Sequence, residues 1–342
     1  MSLHFGLDTF GDIQLNDAGE KVSAAQTIRN IVDQAVLADE LGIDAINIGE
    51  HHRDDFAVSA PDTVLAGIAT RTKKITLGTG VTVLSSDDPV RVFERFSTLD
   101  ALSNGRAEIT AGRGSFIESF PLFGYDLGQY EILFEEKLEL LVELLKEKPV
   151  TWSGKTRASL NNQEVYPKTE RGGIPLRVGV GGTPQSVVRT ARLNAQLALA
   201  IIGGDPARFA PFADLYRTSM KDFGHDLLPI SIHSPGHIAE SDEQAMEEQW
   251  PHYYKMVSRI GSERGWSPPT PEQFAQECQF GSQYVGSPET VARKIVHALR
   301  SVGAQRFDFK YANGPQTHTK LMKSIELYGT KVIPLVNELL SL

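Results

Sequence analysis

Residues 48–56 read IGEHHRDDF: an apolar run stops at Glu50, two adjacent histidines, an arginine and two aspartates. Three chemistries fit such a cluster: a metal site, an acid/base group, or histidines hydrogen-bonded for structure. Successive side chains on an extended strand point to opposite sides, so only one of His51 and His52 can face a site. That weakens the metal reading. A histidine acid/base is natural because imidazole changes charge near neutrality. A second pair, His233 and His237 in HSPGH, sits on a strand-like run with Pro and Gly between them. This is poor ligand geometry, and a structural role is expected there.

Two stretches suit an anion. VGVGGTPQSVV (178–188) ends a strand in glycines, with Thr183 as the expected helix cap and Pro184 at the first helical position. Free N–H groups and the dipole at a helix N-terminus bind phosphate; a plain capped turn is the other reading. EITAGRGS (108–115) sets Arg113 between two glycines, where a guanidinium can make a two-pronged contact to phosphate or a surface salt bridge. LGTGVTVLSSDDP (77–89) carries Gly78 and Gly80 inside a strong strand pattern. Such glycines mark a bulge or a close approach by a ligand.

The elements that position these residues alternate. Strand-like runs occur near 3–10, 43–49, 75–84, 106–112, 175–180, 197–202, 229–239 and 305–311. Each is followed by a segment of helical periodicity, several opened by Pro and closed by Gly. The helices are expected over 23–41, 61–73, 88–105, 129–147, 183–195, 205–223, 287–303 and 317–342. Eight such units imply parallel strands joined by helical crossovers, and a (β/α)8 TIM barrel fits the count better than an open doubly wound sheet. Two insertions interrupt the rhythm. A turn-rich stretch, 149–174, reads as an inserted hairpin or loop before strand 5, and a helical, Pro-rich excursion follows strand 7 at 241–287. The whole chain, 1–342, reads as one barrel domain. In a barrel the chemistry sits at the C-terminal strand ends, which is where Glu50, His51 and Arg113 fall.

Composition narrows the partners. The chain has 342 residues, 41% hydrophobic and 23% charged, with a formal net charge of −9. No Lys/Arg cluster interleaves with aromatics, so nucleic acid is not expected. A single cysteine, Cys278, excludes an intramolecular disulfide and a cysteine-based zinc site. No secretory signal and no run of 18 apolar residues is present, so a cytoplasmic protein without a membrane span is expected.

EHH after strand 2, GTGVTVLSSDDPVR at strand 3, LDALSNGRAEITAGRGS at strand 4 and VGVGGTPQSVVRTARL at strand 5 together resemble the bacterial luciferase-like flavin-dependent monooxygenases. The similarity runs over most of the chain. It implies a barrel that holds reduced FMN at its C-terminal face. The resemblance makes His51 a base near the flavin and puts a non-proline cis peptide at Gly80–Val81, with Thr79, Gly80 and Val81 against the cofactor. It makes Arg113 a phosphate ligand, joined by Ser115, Gly181, Gly182 and Thr183. It further implies a small organic substrate, O2, a separate NAD(P)H-dependent flavin reductase and a homodimer, with no metal. A deazaflavin-dependent dehydrogenase of the same superfamily and a non-catalytic flavin-binding protein are the alternatives. The chain departs from luciferase in Gly181-Gly182, in the acidic RDDF and in IIGG (201–204), which argues against a long-chain aldehyde substrate.

Overall fold

Short apolar runs flanked by amphipathic helices cannot bury both faces alone, and here they close on one another. The computed structural model describes residues 3–114 and 116–341. The described strands are β1 (His4–Thr9), β2 (Ala45–Ile48), β3 (Thr76–Thr79), β4 (Thr82–Val83), β5 (Ile109–Gly112), β6 (Val150–Trp152), β7 (Leu160–Gln163), β8 (Leu176–Val180), β9 (Gln196–Ala200), β10 (Ile230–Ile238), β11 (Tyr284–Gly286) and β12 (Arg306–Lys310). The main sheet runs β3-β2-β1-β12-β10-β9-β8-β5-β4, parallel throughout. β3 and β4 are two halves of one run, so the two ends of this path meet and the sheet closes as a (β/α)8 barrel.

The third strand, read in the sequence as one run, breaks at Gly80–Val81, which is the non-proline cis peptide that the resemblance implies. Before the break it pairs with β2, and after it with β5. The glycines of this strand clear space for buried polar side chains. A Cβ on Gly78 would stand 2.4 Å from Asn47 Oδ1, and one on Gly80 would stand 2.6 Å from Asp8 Oδ2.

The helices start as the sequence signals require. Ser23 accepts from the Gln26 N–H to open Ala24–Glu40, and Asp88 accepts from the Val90 and Arg91 N–H groups to open Pro89–Ser103. Asn104 closes the latter in the left-handed conformation. The 149–174 insertion is the antiparallel hairpin β6–β7. The excursion after strand 7 holds helices Asp242–Arg264 and Pro271–Gln279 over a small core of Ala239, Ala245, Phe274, Cys278 and Val285. It also holds a strand the sequence did not signal, β11, three residues long and paired to β10. The final helix is not continuous: a π-helical turn, Tyr328–Val332, separates His318–Leu327 from Ile333–Ser341. No described helix is long and apolar enough to cross a membrane.

The β10–β11 contact explains the glycine in HSPGH. A Cβ on Gly236 would lie 2.1 Å from the Tyr284 carbonyl oxygen and 2.6 Å from the Phe309 ring. Because the nearest atom is backbone, no rotamer change relieves the overlap. Gly236→Ala is therefore expected to destabilise the fold by about 3 kcal/mol, at the upper end of overpacking costs. A urea unfolding curve would register this as a lower midpoint; an unchanged midpoint would mean the strands separate freely there.

Candidate active site

The C-terminal strand ends surround a cavity of about 310 Å³. β1 contributes Asp8 and, just beyond it, Phe10; the loop after β2 gives Glu50 and His51. The broken third strand gives Thr79, Gly80, Val81 and Val83. Arg113 follows β5, Gly181 follows β8, and β10 gives His233. Arg177 and Asp308 form part of the floor.

His51 is buried, and its Nδ1 lies 3.3 Å from Glu118 Oε1. Its ring packs against Phe56 at 4.4 Å, Phe116 at 4.8 Å and Phe10 at 5.1 Å. Burial raises the Glu118 carboxyl, but the hydrogen bond and charge of His51 together with backbone N–H groups outweigh it and hold the group below its ordinary value. The neighbouring residues of the motif turn elsewhere. Glu50 Oε1 lies 2.9 Å from His52 Nε2, while Oε2 accepts from the Val83 N–H at 3.2 Å. Glu50 thus ties the β2 loop to β4, and His52 packs edge-on against Phe123 at 5.1 Å. At the rim, Arg53 pairs with Asp55 and reaches Glu263 on the helix Asp242–Arg264 at 2.9 Å. Arg259 of the same helix answers with Asp54 and Asp55.

The anion corner is partly as expected. Arg113 lines the cavity, pairs with the exposed carboxylate of Glu131 and stands 5.1 Å over the Tyr130 ring. Gly181 lines the cavity too, and a Cβ there would meet nothing within 4 Å. Gly182, with φ +108, and Thr183 lie outside the lining. Thr183 occupies the cap position of the helix Pro184–Arg192 but makes no side-chain cap hydrogen bond, and its hydroxyl donates to Ser186 Oγ at 2.7 Å. The first turn of that helix is left without a side-chain cap. Ser115 lies outside the described residues.

The structural reading of HSPGH holds for only one of its histidines. His237 is buried against Glu248 at 2.7 Å, whereas His233 faces the cavity with Nδ1 2.8 Å from Asp8 Oδ2. The His233 ring stacks on Phe10 at 5.8 Å with 10° between planes. Burial drives the Asp8 carboxyl above its ordinary value, against the opposing pull of His233 and Lys310. Asp8 and His233 were missed because they are 225 positions apart. The available signal was an acidic residue at the end of a barrel strand. Between them, these groups can bind an anion at the rim and move protons at two places in the cavity.

Comparison with known proteins agrees with this construction. The family model for luciferase-like monooxygenases matches residues 9–306. The N-acetyl-S-alkylcysteine monooxygenase of Bacillus subtilis (strain 168) is 32% identical over 187 residues, 53% of each chain. Among solved structures, the oxygenating constituent of 3,6-diketocamphane monooxygenase from Pseudomonas putida, in complex with FMN, superposes with a TM-score of 0.78 at 18% identity, covering 98% of this chain and 99% of that one. The coenzyme F420-dependent tetrahydromethanopterin reductase of Methanopyrus kandleri superposes with a TM-score of 0.75 at 20% identity, covering the same shares. The strand order, the split third strand and the match over residues 9–306 place the chain in the luciferase-like monooxygenase family, among the oxidoreductases.

Proposed function

We propose that the cavity binds FMN and that the enzyme uses the reduced form with O2 to oxygenate a small organic substrate. The observation that carries this is a flat apolar platform beside an anion corner. Val81 lies over Gly112 and Gly179: a Cβ on the first would come within 2.5 Å of the valine side chain, and on the second within 3.1 Å. Larger residues there would push Val81 out of plane, so the two glycines keep a surface on which a planar ring can rest. Arg113, the open backbone at Gly181 and the uncapped helix supply the phosphate end. Bound reduced FMN would supply the electrons that activate dioxygen. The protein would orient the ring, exclude water with Phe10, Phe56 and Phe116, and hold a proton at His51.

The F420 enzymes among the structural neighbours make a deazaflavin the second reading. That cofactor has a longer anionic tail and needs more cations at the rim. Arg113 and Arg177 are the only lysines or arginines among the described residues lining the cavity, and Arg177 is committed to Asp308 at 2.6 Å, which favours FMN.

Fluorescence titration of FMN tests the cofactor, and 18O incorporation from labelled O2 into N-acetyl-S-methylcysteine, a probe taken from the Bacillus relative, tests the reaction. Arg113→Ala is expected to weaken FMN roughly tenfold or more, the scale of a lost charge-assisted contact, and to weaken riboflavin, which lacks the phosphate, far less. Equal losses for the two ligands would remove Arg113 from the phosphate site.

A further inference from the structure

Two histidine–carboxylate pairs flank one ring in this cavity. His51, with Glu118, meets Phe10 edge-on, and His233, with Asp8, stacks on its face. The second pair is the tighter, at 2.8 Å against 3.3 Å. Asp8 is buried, and its other oxygen, Oδ1, has no hydrogen-bond partner among the described residues. When ionised, its carboxylate can only accept, which puts the proton of a neutral His233 ring on Nδ1. Nε2 then carries the lone pair, and no described residue engages it. His233 lines the cavity and keeps some exposure, so that nitrogen is within reach of a bound molecule. A histidine held in one tautomer by a buried carboxylate, with its second nitrogen open to a cavity, has the arrangement of a general base.

We propose that His233, oriented by Asp8, is a second proton-accepting residue of this cavity and acts on substrate beside the Phe10 ring on which it stacks. In that step an O–H or N–H bond of the substrate breaks, the bonding pair stays on the oxygen or nitrogen, and the proton joins Nε2. The Asp8 carboxylate stabilises the imidazolium, and the proton passes to solvent after product leaves. Asp8 is the positioning residue. Gly80 serves the same end, since a Cβ there would displace the carboxylate from His233. The assignment rests on this cavity being the reaction site.

Nitrogen-15 NMR of the full chain without flavin reads the tautomer directly. Wild type is expected to show His233 protonated at Nδ1, and Asp8→Asn to invert this, because the amide can donate to Nδ1. A wild-type ring protonated at Nε2 would overturn the proposal. Diethyl pyrocarbonate with mass spectrometry is the second measurement. Nε2 of His233 is expected to react roughly tenfold faster in wild type than in Asp8→Asn, and equal rates would count against an oriented base. Neither measurement needs FMN or substrate, so both decide the matter even if the flavin reading fails. With reduced FMN, O2 and N-acetyl-S-methylcysteine, His233→Gly is expected to lower kcat about 100-fold with FMN affinity nearly unchanged, and added imidazole to restore roughly tenfold of it. Loss without rescue, or with an equal loss of FMN affinity, would make His233 structural.

Discussion

Replacing His51 with asparagine is expected to lower turnover about 100-fold while FMN affinity stays within a few-fold, the usual scale for loss of an acid/base group. His51 is the only one of the three clustered residues Glu50, His51 and His52 that is both buried and in contact with Glu118. Asparagine keeps a polar contact to Glu118 but cannot carry a proton near neutrality. Alanine is the harsher change, because the ring fills the space between Phe10, Phe56 and Phe116. If both variants lose FMN binding and turnover in the same proportion, the ring is packing and not chemistry. If asparagine retains full turnover, the proton is carried elsewhere. Stopped-flow kinetics alongside a fluorescence titration separates these outcomes.

Asp308→Asn is expected to cost about 3–5 kcal/mol of stability at neutral pH, the range for stranding a buried charge. The floor of the cavity is a neutral set of four ionised groups. Arg177 donates to Asp308 at 2.6 Å and pairs with Glu108 at 3.0 Å, while Arg306 reaches the same two carboxylates at 2.8 and 2.9 Å. Asn47 bridges them through Asp308 and Arg177. Removing one anion leaves a positive charge without compensation. Burial alone would raise the Asp308 carboxyl, but Arg306 and Arg177 override it and hold the group at about 2. With the folded value depressed below the ordinary 3.8, the stabilisation is present above that ordinary value and is lost as pH falls through about 2. The gap between wild type and Asp308→Asn should therefore narrow between pH 4 and pH 2. Urea unfolding at neutral and acid pH measures both; a gap that does not change with pH would mean that Asp308 is not ionised in the fold.

The barrel is legible in the sequence because each strand is a local apolar run and each helix brings its own start and stop signals, such as Asp88-Pro89 and Asn104-Gly105. His51 is legible because strand alternation lets only one histidine of a local motif face the site and the family resemblance points to the first. Asp8 and His233 are not, because Asp8 lies in no motif, HSPGH reads as structural, and their meaning arises only when β1 and β10 face one cavity. The polar residues of the floor are hidden for the same reason: Asn47, Glu108, Arg177 and the pair Arg306 and Asp308 come from four different strand regions. Gly78 and Gly80 are visible as anomalies, yet what they make room for, the side chains of Asn47 and Asp8, lies on other strands. Thr183 shows the converse failure. The residue type and position of a cap are both correct, but the Thr183 hydroxyl is turned to Ser186 and accepts from no N–H of the first turn.

The pairing of β1 with β12 also bears on how the protein is made. His4 is in register with Arg306, so β1 leaves the ribosome about 300 residues ahead of one of its two neighbours. Its other neighbour, β2, arrives early. Until β12 emerges the nascent chain can assemble only an open sheet, with one edge of β1 exposed and the floor arginine Arg177 lacking its Asp308 partner. Ring closure and charge neutralisation therefore come together, once β12 has emerged, as the loop-closure cost of the longest contact is met last. Truncating the chain before β12 should yield an aggregating fragment rather than a smaller working enzyme.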